Sequence, residues 1–154
     1  GSYLSPDQKI ALLVKEPTQV NDFFRQLIRI GFDHIVGFIP ATLLPQATET
    51  MKTTTPAVRF SEVEALISSN GDLQPLDVRK ATEFALAHLR NAKNIAHTRL
   101  LPRLAEIEAN KTLLVTCGTG MRATGALAFL ARQGMDVVCV NDKFENAPLT
   151  ILAR

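Results

Sequence analysis

Hydrophobic positions along this chain form short continuous runs that alternate with stretches in which apolar residues recur every three to four positions. That is the pattern of strands alternating with amphipathic helices. Lys9 to Val14 is an apolar run too brief for a helix and reads as a buried strand. Val20, Phe23, Phe24, Leu27 and Ile28 then fall at i, i+3, i+4, i+7 and i+8, one face of a helix. Thr18 is the expected N-cap, and Gly31 is placed to end the helix as a left-handed C-terminal cap. Asp33 to Ile39 is a second strand, which Pro40 stops.

This strand–helix–strand unit has a counterpart near the other end of the chain. Lys111 to Val115 is a strand, Leu127, Leu130 and Ala131 share a helix face, Gly134 caps that helix, and Asp136 to Val140 returns as a strand. Both strands open with lysine and both helices close as Arg-x-Gly, at Arg29 to Gly31 and Arg132 to Gly134. The two units therefore read as an internal repeat. They differ after the first strand: the second copy has Cys117 to Arg122, where the first has Lys15 to Gln19, without cysteine or arginine.

Between the copies, Pro45 to Pro56 is threonine-rich and bounded by prolines, and residues 46–56 are expected to be a linker. Beyond it, Ala57 to Phe60 reads as a strand, and Ser61 to Glu64 as a capping box opening a helix with Val63, Leu66 and Ile67 inward. Leu73 to Val78 is the next strand, although Pro75 cannot donate to a ladder, so a bulge or a start at Leu76 is expected. Thr82 to Leu89 reads as a short helix, Lys93 to Ile95 as a strand, and Pro102 opens a helix carrying Leu104 and Ile107. The alternation predicts an α/β fold with a central parallel sheet covered by helices on both faces.

Composition narrows the partners. Of 154 residues, 46% are apolar, enough for a core, and the net charge of +2 is too small to single out nucleic acid or a membrane surface. No apolar stretch is long enough to span a bilayer, and no leader is evident. Gly1 and Ser2 read as the scar of a cleaved tag. Two cysteines make no disulfide framework, so a reduced, cytoplasmic setting is expected.

The chemistry concentrates in Cys117, Gly118, Thr119, Gly120, Met121 and Arg122, set between a buried strand and a helix. Loop amides and a helix N-terminus present unpaired N–H groups and the positive end of the peptide dipole. A sulfur placed there is favoured as thiolate, the form that attacks. The alternative for Cys117 is an inert thiol. Cys139 lies among valines and reads as core.

Residues 57–154 resemble a rhodanese domain, the sulfurtransferase fold. Asp77-Val78-Arg79 followed by Glu83-Phe84 matches the family's first signature, Ala87 to Ile95 matches a second in weakened form, and Cys117, Gly120 and Arg122 match its Cys-x-x-Gly-x-Arg loop. Residues 1–45 are similar to the second half of another, catalytically inactive rhodanese-like unit. The arrangement resembles the tandem-rhodanese tail of proteins in which a metallo-β-lactamase-fold domain comes first and which handle persulfides.

The resemblance implies a double displacement. Cys117 would take the sulfane sulfur of thiosulfate or a low-molecular-weight persulfide and pass it to a thiol or cyanide. The amides of Gly118, Thr119, Gly120, Met121 and Arg122 would bind the substrate's charge, the Arg122 side chain would anchor the loop or face an anionic donor, and Asp77 and Arg79 behind them would hold the loop or bind substrate, the alternative being a structural ion pair. It implies no cofactor and no metal in this chain. Two rivals are a persulfide relay or docking module that does not turn over, and a small cysteine phosphatase. The phosphatase loop has five residues between Cys and Arg, whereas this one has four, Gly118 to Met121, a smaller cradle. The apolar faces of residues 1–45 need covering, by the complete domain or in a homodimer.

Overall fold

The computed structural model describes residues 3–48 and 54–153. The tag scar at residues 1–2 and the middle of the expected linker, residues 49–53, lie outside them. The chain divides into two compact units, Tyr3–Thr54 and Thr55–Arg154.

The first unit contains β1 (Ile10–Val14), α1 (Val20–Arg29) and β2 (Ile35–Pro40). β1 and β2 pair in parallel, as a strand–helix–strand crossover requires. The helix is not opened by Thr18. A 3₁₀ turn at Pro17–Gln19 leads into it, and the Glu16 N–H donates to Gln19 Oε1 at 3.0 Å. A proline at the first turn position has no N–H to satisfy there, so the cap moves upstream of Thr18. Gly31 does end the helix, at φ 83°. The apolar faces identified in the sequence are present, but Val14 and Phe32 are the buried hydrophobic residues of this unit among those described.

The second unit is built on a five-stranded, all-parallel sheet of order β3-β8-β7-β4-β6. Its strands are β3 (Ala57–Val58), β4 (Leu73–Asp77), β6 (Lys93–Asn94), β7 (Thr112–Thr116) and β8 (Val137–Val140). Helices are α2 (Phe60–Ser69), α3 (Ala81–Leu86) and α4 (Met121–Arg132). A small antiparallel pair joins β5 (His88–Leu89) to β9 (Leu152–Ala153). Phe60 and Val63 of α2 pack with Leu114, Val138 and Val140 in one buried cluster on one face of the sheet. Residues alternate across a strand, so Leu113, Val115, Val137 and Cys139 point to the other face, where α4 packs on β7 and β8. No helix among the described residues is long and apolar enough to cross a membrane.

Several local expectations shift. Phe60 opens α2 instead of closing β3, because the Arg59 N–H finds Glu62 Oε2 at 2.7 Å, two residues before the expected box at Ser61. Pro75 sits inside β4 without a bulge: its outer neighbour β6 joins only at Leu76, so no ladder bond is lost on that side. The helix expected at Thr82–Leu89 stops at Leu86, and His88 and Leu89 turn into β5. The segment with Pro102 is 3₁₀, kinked at Arg103.

Candidate active site

β7 ends at Thr116, and the chain then turns through Cys117–Gly120 into the N-terminus of α4. This is the carboxyl end of a central strand of a parallel sheet, where such folds place their sites. Cys117 is buried and free of any disulfide. The Gly120 N–H donates to Cys117 Sγ at 3.1 Å. That bond sets a loop amide against the sulfur at the head of the twelve-residue α4.

Both loop glycines lie in close approach to neighbouring residues. A side-chain carbon on Gly118 would lie 2.9 Å from Arg122 Nη2. One on Gly120 would lie 2.4 Å from Asn141 Oδ1, at a residue whose φ is already +90°. Thr119 and Met121 face solvent, so of the six loop residues Cys117 and Gly120 form the buried floor.

Arg122 is fixed by Glu83 of α3, through Nη1 to Oε2 and Nη2 to Oε1, both at 2.7 Å. The bidentate guanidinium holds the Glu83 carboxyl down at about 2 and pushes Arg122 up in turn. Glu83 Oε2 also accepts the Lys80 N–H at 3.1 Å, so the same carboxylate caps α3 and ties it to the loop.

Asp77 and Arg79 lie at the end of β4 as a buried ion pair. Arg79 Nη2 donates to Asp77 Oδ2 at 2.6 Å and to the Ala87 carbonyl at 2.6 Å, and the Arg79 N–H donates to Asp77 Oδ1 at 2.9 Å. The guanidinium carbon lies 3.6 Å from the Phe144 ring centroid, and the Phe144 N–H donates to the Gly118 carbonyl at 3.0 Å. The pair thus reaches the loop through Phe144, a residue not singled out from the sequence. In the sequence Glu83 stands out only within its Glu-Phe pair, and nothing there marks it as the partner of Arg122.

Two further residues near these elements make contacts of their own. His88 Nδ1 contacts the Phe84 carbonyl at 2.9 Å, and its ring stacks on Phe84. Cys139 is buried in β8, and burial pushes its thiol up. Among the described residues no three His, Cys, Asp or Glu side chains gather as metal ligands. Beside Ala87, a cavity of about 430 Å³ is lined by Leu86, Ala87, Leu149, Leu152 and Ala153.

The rhodanese-like domain family matches residues 60–146. The chain is 31% identical over 71 residues to the thiosulfate sulfurtransferase GlpE of Vibrio cholerae, an alignment covering 46% of this chain and 67% of that protein. A crystal structure of a rhodanese-like domain protein from Staphylococcus aureus superposes with a TM-score of 0.59 at 22% identity, over 64% of this chain and 97% of that one. A rhodanese-related protein from Thermoplasma volcanium gives 0.54 at 24% identity, over 60% and 95%. The family match spans the strands, helices and loop that build the Cys117 site, and this chain belongs to the rhodanese-like domain family.

Proposed function

We propose that the chain is a sulfurtransferase that moves a sulfane sulfur from thiosulfate or a low-molecular-weight persulfide to a thiol or cyanide. The observation that carries this reading is the Gly120 N–H on Cys117 Sγ at 3.1 Å, at the head of α4. In the first step the Cys117 thiolate attacks the outer sulfur of thiosulfate. The new S–S bond forms at Sγ, the donor's S–S bond breaks, and its electron pair leaves with sulfite. The enzyme then holds a terminal, anionic persulfide sulfur. In the second step a thiolate or cyanide attacks that outer sulfur, and Cys117 departs as thiolate, so no proton or external electron is required. Amides of Gly118 to Arg122 balance the anionic charge in both steps. Arg122, held by Glu83, keeps the loop closed, and Asp77–Arg79 supports it from behind through Phe144.

The engagement of both Arg122 terminal nitrogens by Glu83 speaks against phosphoryl chemistry, for which the guanidinium has to grip the substrate. A relay or docking module is the second reading. Leu86 and Leu149, each more than three-quarters exposed, line one cavity with Ala87, whose carbonyl accepts from Arg79, an apolar surface a small anion does not need. The cytoplasmic setting follows from the need for a reduced thiol, and an upstream metallo-β-lactamase-fold domain rests on the resemblance alone. Steady-state thiocyanate formation from thiosulfate and cyanide tests the enzyme reading. Turnover abolished by Cys117→Ser supports it; sulfur loading of Cys117 without turnover favours the relay.

A further inference from the structure

The Cys117 loop is propped by two segments that also meet each other. In one, α3 carries Glu83, which holds Arg122, and ends one turn later at Leu86. In the other, Phe144 donates its N–H to the Gly118 carbonyl, and the chain runs on through a 3₁₀ turn at Leu149–Ile151 into β9. Leu86, Ala87, Leu149, Leu152 and Ala153 line the cavity of about 430 Å³ where the two segments meet. That volume falls within the range of small-ligand pockets, roughly 300–1,000 Å³.

The lining selects against charge. None of the five residues has an ionisable side chain, and the carbonyls of two are already taken. Ala87 O accepts from Arg79 Nη2 at 2.6 Å, and Leu152 O accepts from Arg90 Nε at 3.2 Å. Leu152 and Ala153 also pair with Leu89 and His88 in the β5–β9 ladder. The guanidiniums of the loop supports are matched as well, Arg79 by Asp77 and Arg122 by Glu83. A charged group placed here would lose its hydration and find no partner among the described lining residues. An apolar group would instead cover Leu86 and Leu149, which are 77% and 83% exposed.

We propose that this cavity seats the organic part of the sulfur donor and that this part is uncharged and apolar, so that the donor is an alkyl or aryl persulfide, R–S–S–H. This assignment rests on the sulfurtransferase reading and names the substrate class of that same site. The Cys117 thiolate attacks the terminal sulfur, and the new S–S bond forms at Sγ. The donor's own S–S bond breaks, its electron pair leaves with R–S⁻, and the hydrogen stays on the transferred sulfur until it ionises. R occupies the cavity throughout. A protein is the poorer occupant, because the lining is five residues and a stable protein interface takes about 20–30 a side.

Intact mass spectrometry of the 154-residue chain reads the rate of sulfur gain on Cys117 from three donors. Thiosulfate has no organic part, benzyl persulfide an apolar one, and glutathione persulfide a charged one. With each rate divided by that donor's rate with N-acetylcysteine, benzyl persulfide should load on the order of 10-fold faster than glutathione persulfide, the scale on which apolar pockets discriminate. Leu149→Asp should bring this ratio close to one, and Leu149→Met should keep it. Leu149 lies outside the buried core, so these substitutions test the cavity and not the fold. A wild-type ratio near one, with thiosulfate still loading Cys117, overturns the cavity assignment and leaves the sulfurtransferase reading standing. A preference that Leu149→Asp leaves unchanged does the same. No loading of the wild type from any of the three donors overturns both.

Discussion

Gly120 carries two constraints at once, a φ of +90° and a distance of 2.4 Å from its would-be Cβ to Asn141 Oδ1. Gly120→Ala should therefore cost about 1–3 kcal/mol in chemical denaturation and slow sulfur loading of Cys117, because the displaced amide is the one bonded to Sγ. Adding Asn141→Gly should recover only part of the loss, since it removes the clash and leaves the backbone strain. Glu83 makes a second prediction. Its carboxyl, held at about 2 against an ordinary 4.5 chiefly by the Arg122 hydrogen bonds, has a folded value below its unfolded one. Its contribution is thus fully present above about pH 4.5 and lost as the pH falls toward 2. The pair is part-exposed, so Glu83→Gln should cost roughly 1 kcal/mol or less at neutral pH. The difference in melting temperature between wild type and variant should shrink below pH 4.5; a constant gap down to pH 2 would contradict the assignment. At this scale the sequence made Cys117, Gly120 and Arg122 legible, because a short loop fixes their relation to one another. Glu83 and Phe144 were not legible as loop supports, since they reach it from segments 39 and 26 residues away from Arg122 and Gly118.

Among the elements, α2 and the two β1/β7-type crossovers differ in how their apolar faces are used. Phe60 opens α2, is fully buried, and meets Phe144 edge-on with ring centroids 5.5 Å apart. Phe60→Ala should lower stability by about 3–5 kcal/mol and, by loosening Phe144, blunt sulfur loading beyond what the stability loss explains. Loading measured well below the variant's melting temperature separates the two effects. The order of strands and helices could be read from periodicity alone, since each core element has a continuous or i, i+3, i+4 apolar pattern. Their ends could not. Phe60 fits a strand and Leu89 a helix in the sequence because apolar residues at an element boundary fit either, and hydrogen bonds such as Arg59 N–H to Glu62 Oε2 decide between them. Pro75 escapes sequence reading for the opposite reason: its penalty depends on which neighbouring strand is present at that register, a fact of topology.

Across the whole molecule, each of the two units carries a parallel strand pair joined by a glycine-capped helix. β1–α1–β2 keeps the parallel pair and the glycine-capped helix and has Lys15 to Gln19 where the second unit has its cysteine loop. The strand–helix–strand order of both stretches is readable in the sequence; the exposure of the first is not, because burial depends on neighbours that periodicity does not name. On the four-residue spacing and the Glu83-bound Arg122, hydrolysis of an aryl phosphate should stay at background, and hydrolysis lost in Cys117→Ser would contradict the sulfur assignment. The central claim, that Cys117 carries sulfur covalently, is tested most directly by intact mass spectrometry after exposure to thiosulfate or glutathione persulfide. A gain of one sulfur atom on Cys117, absent in Cys117→Ser, is the expected result; an unchanged mass, or a gain that survives the substitution, would contradict it.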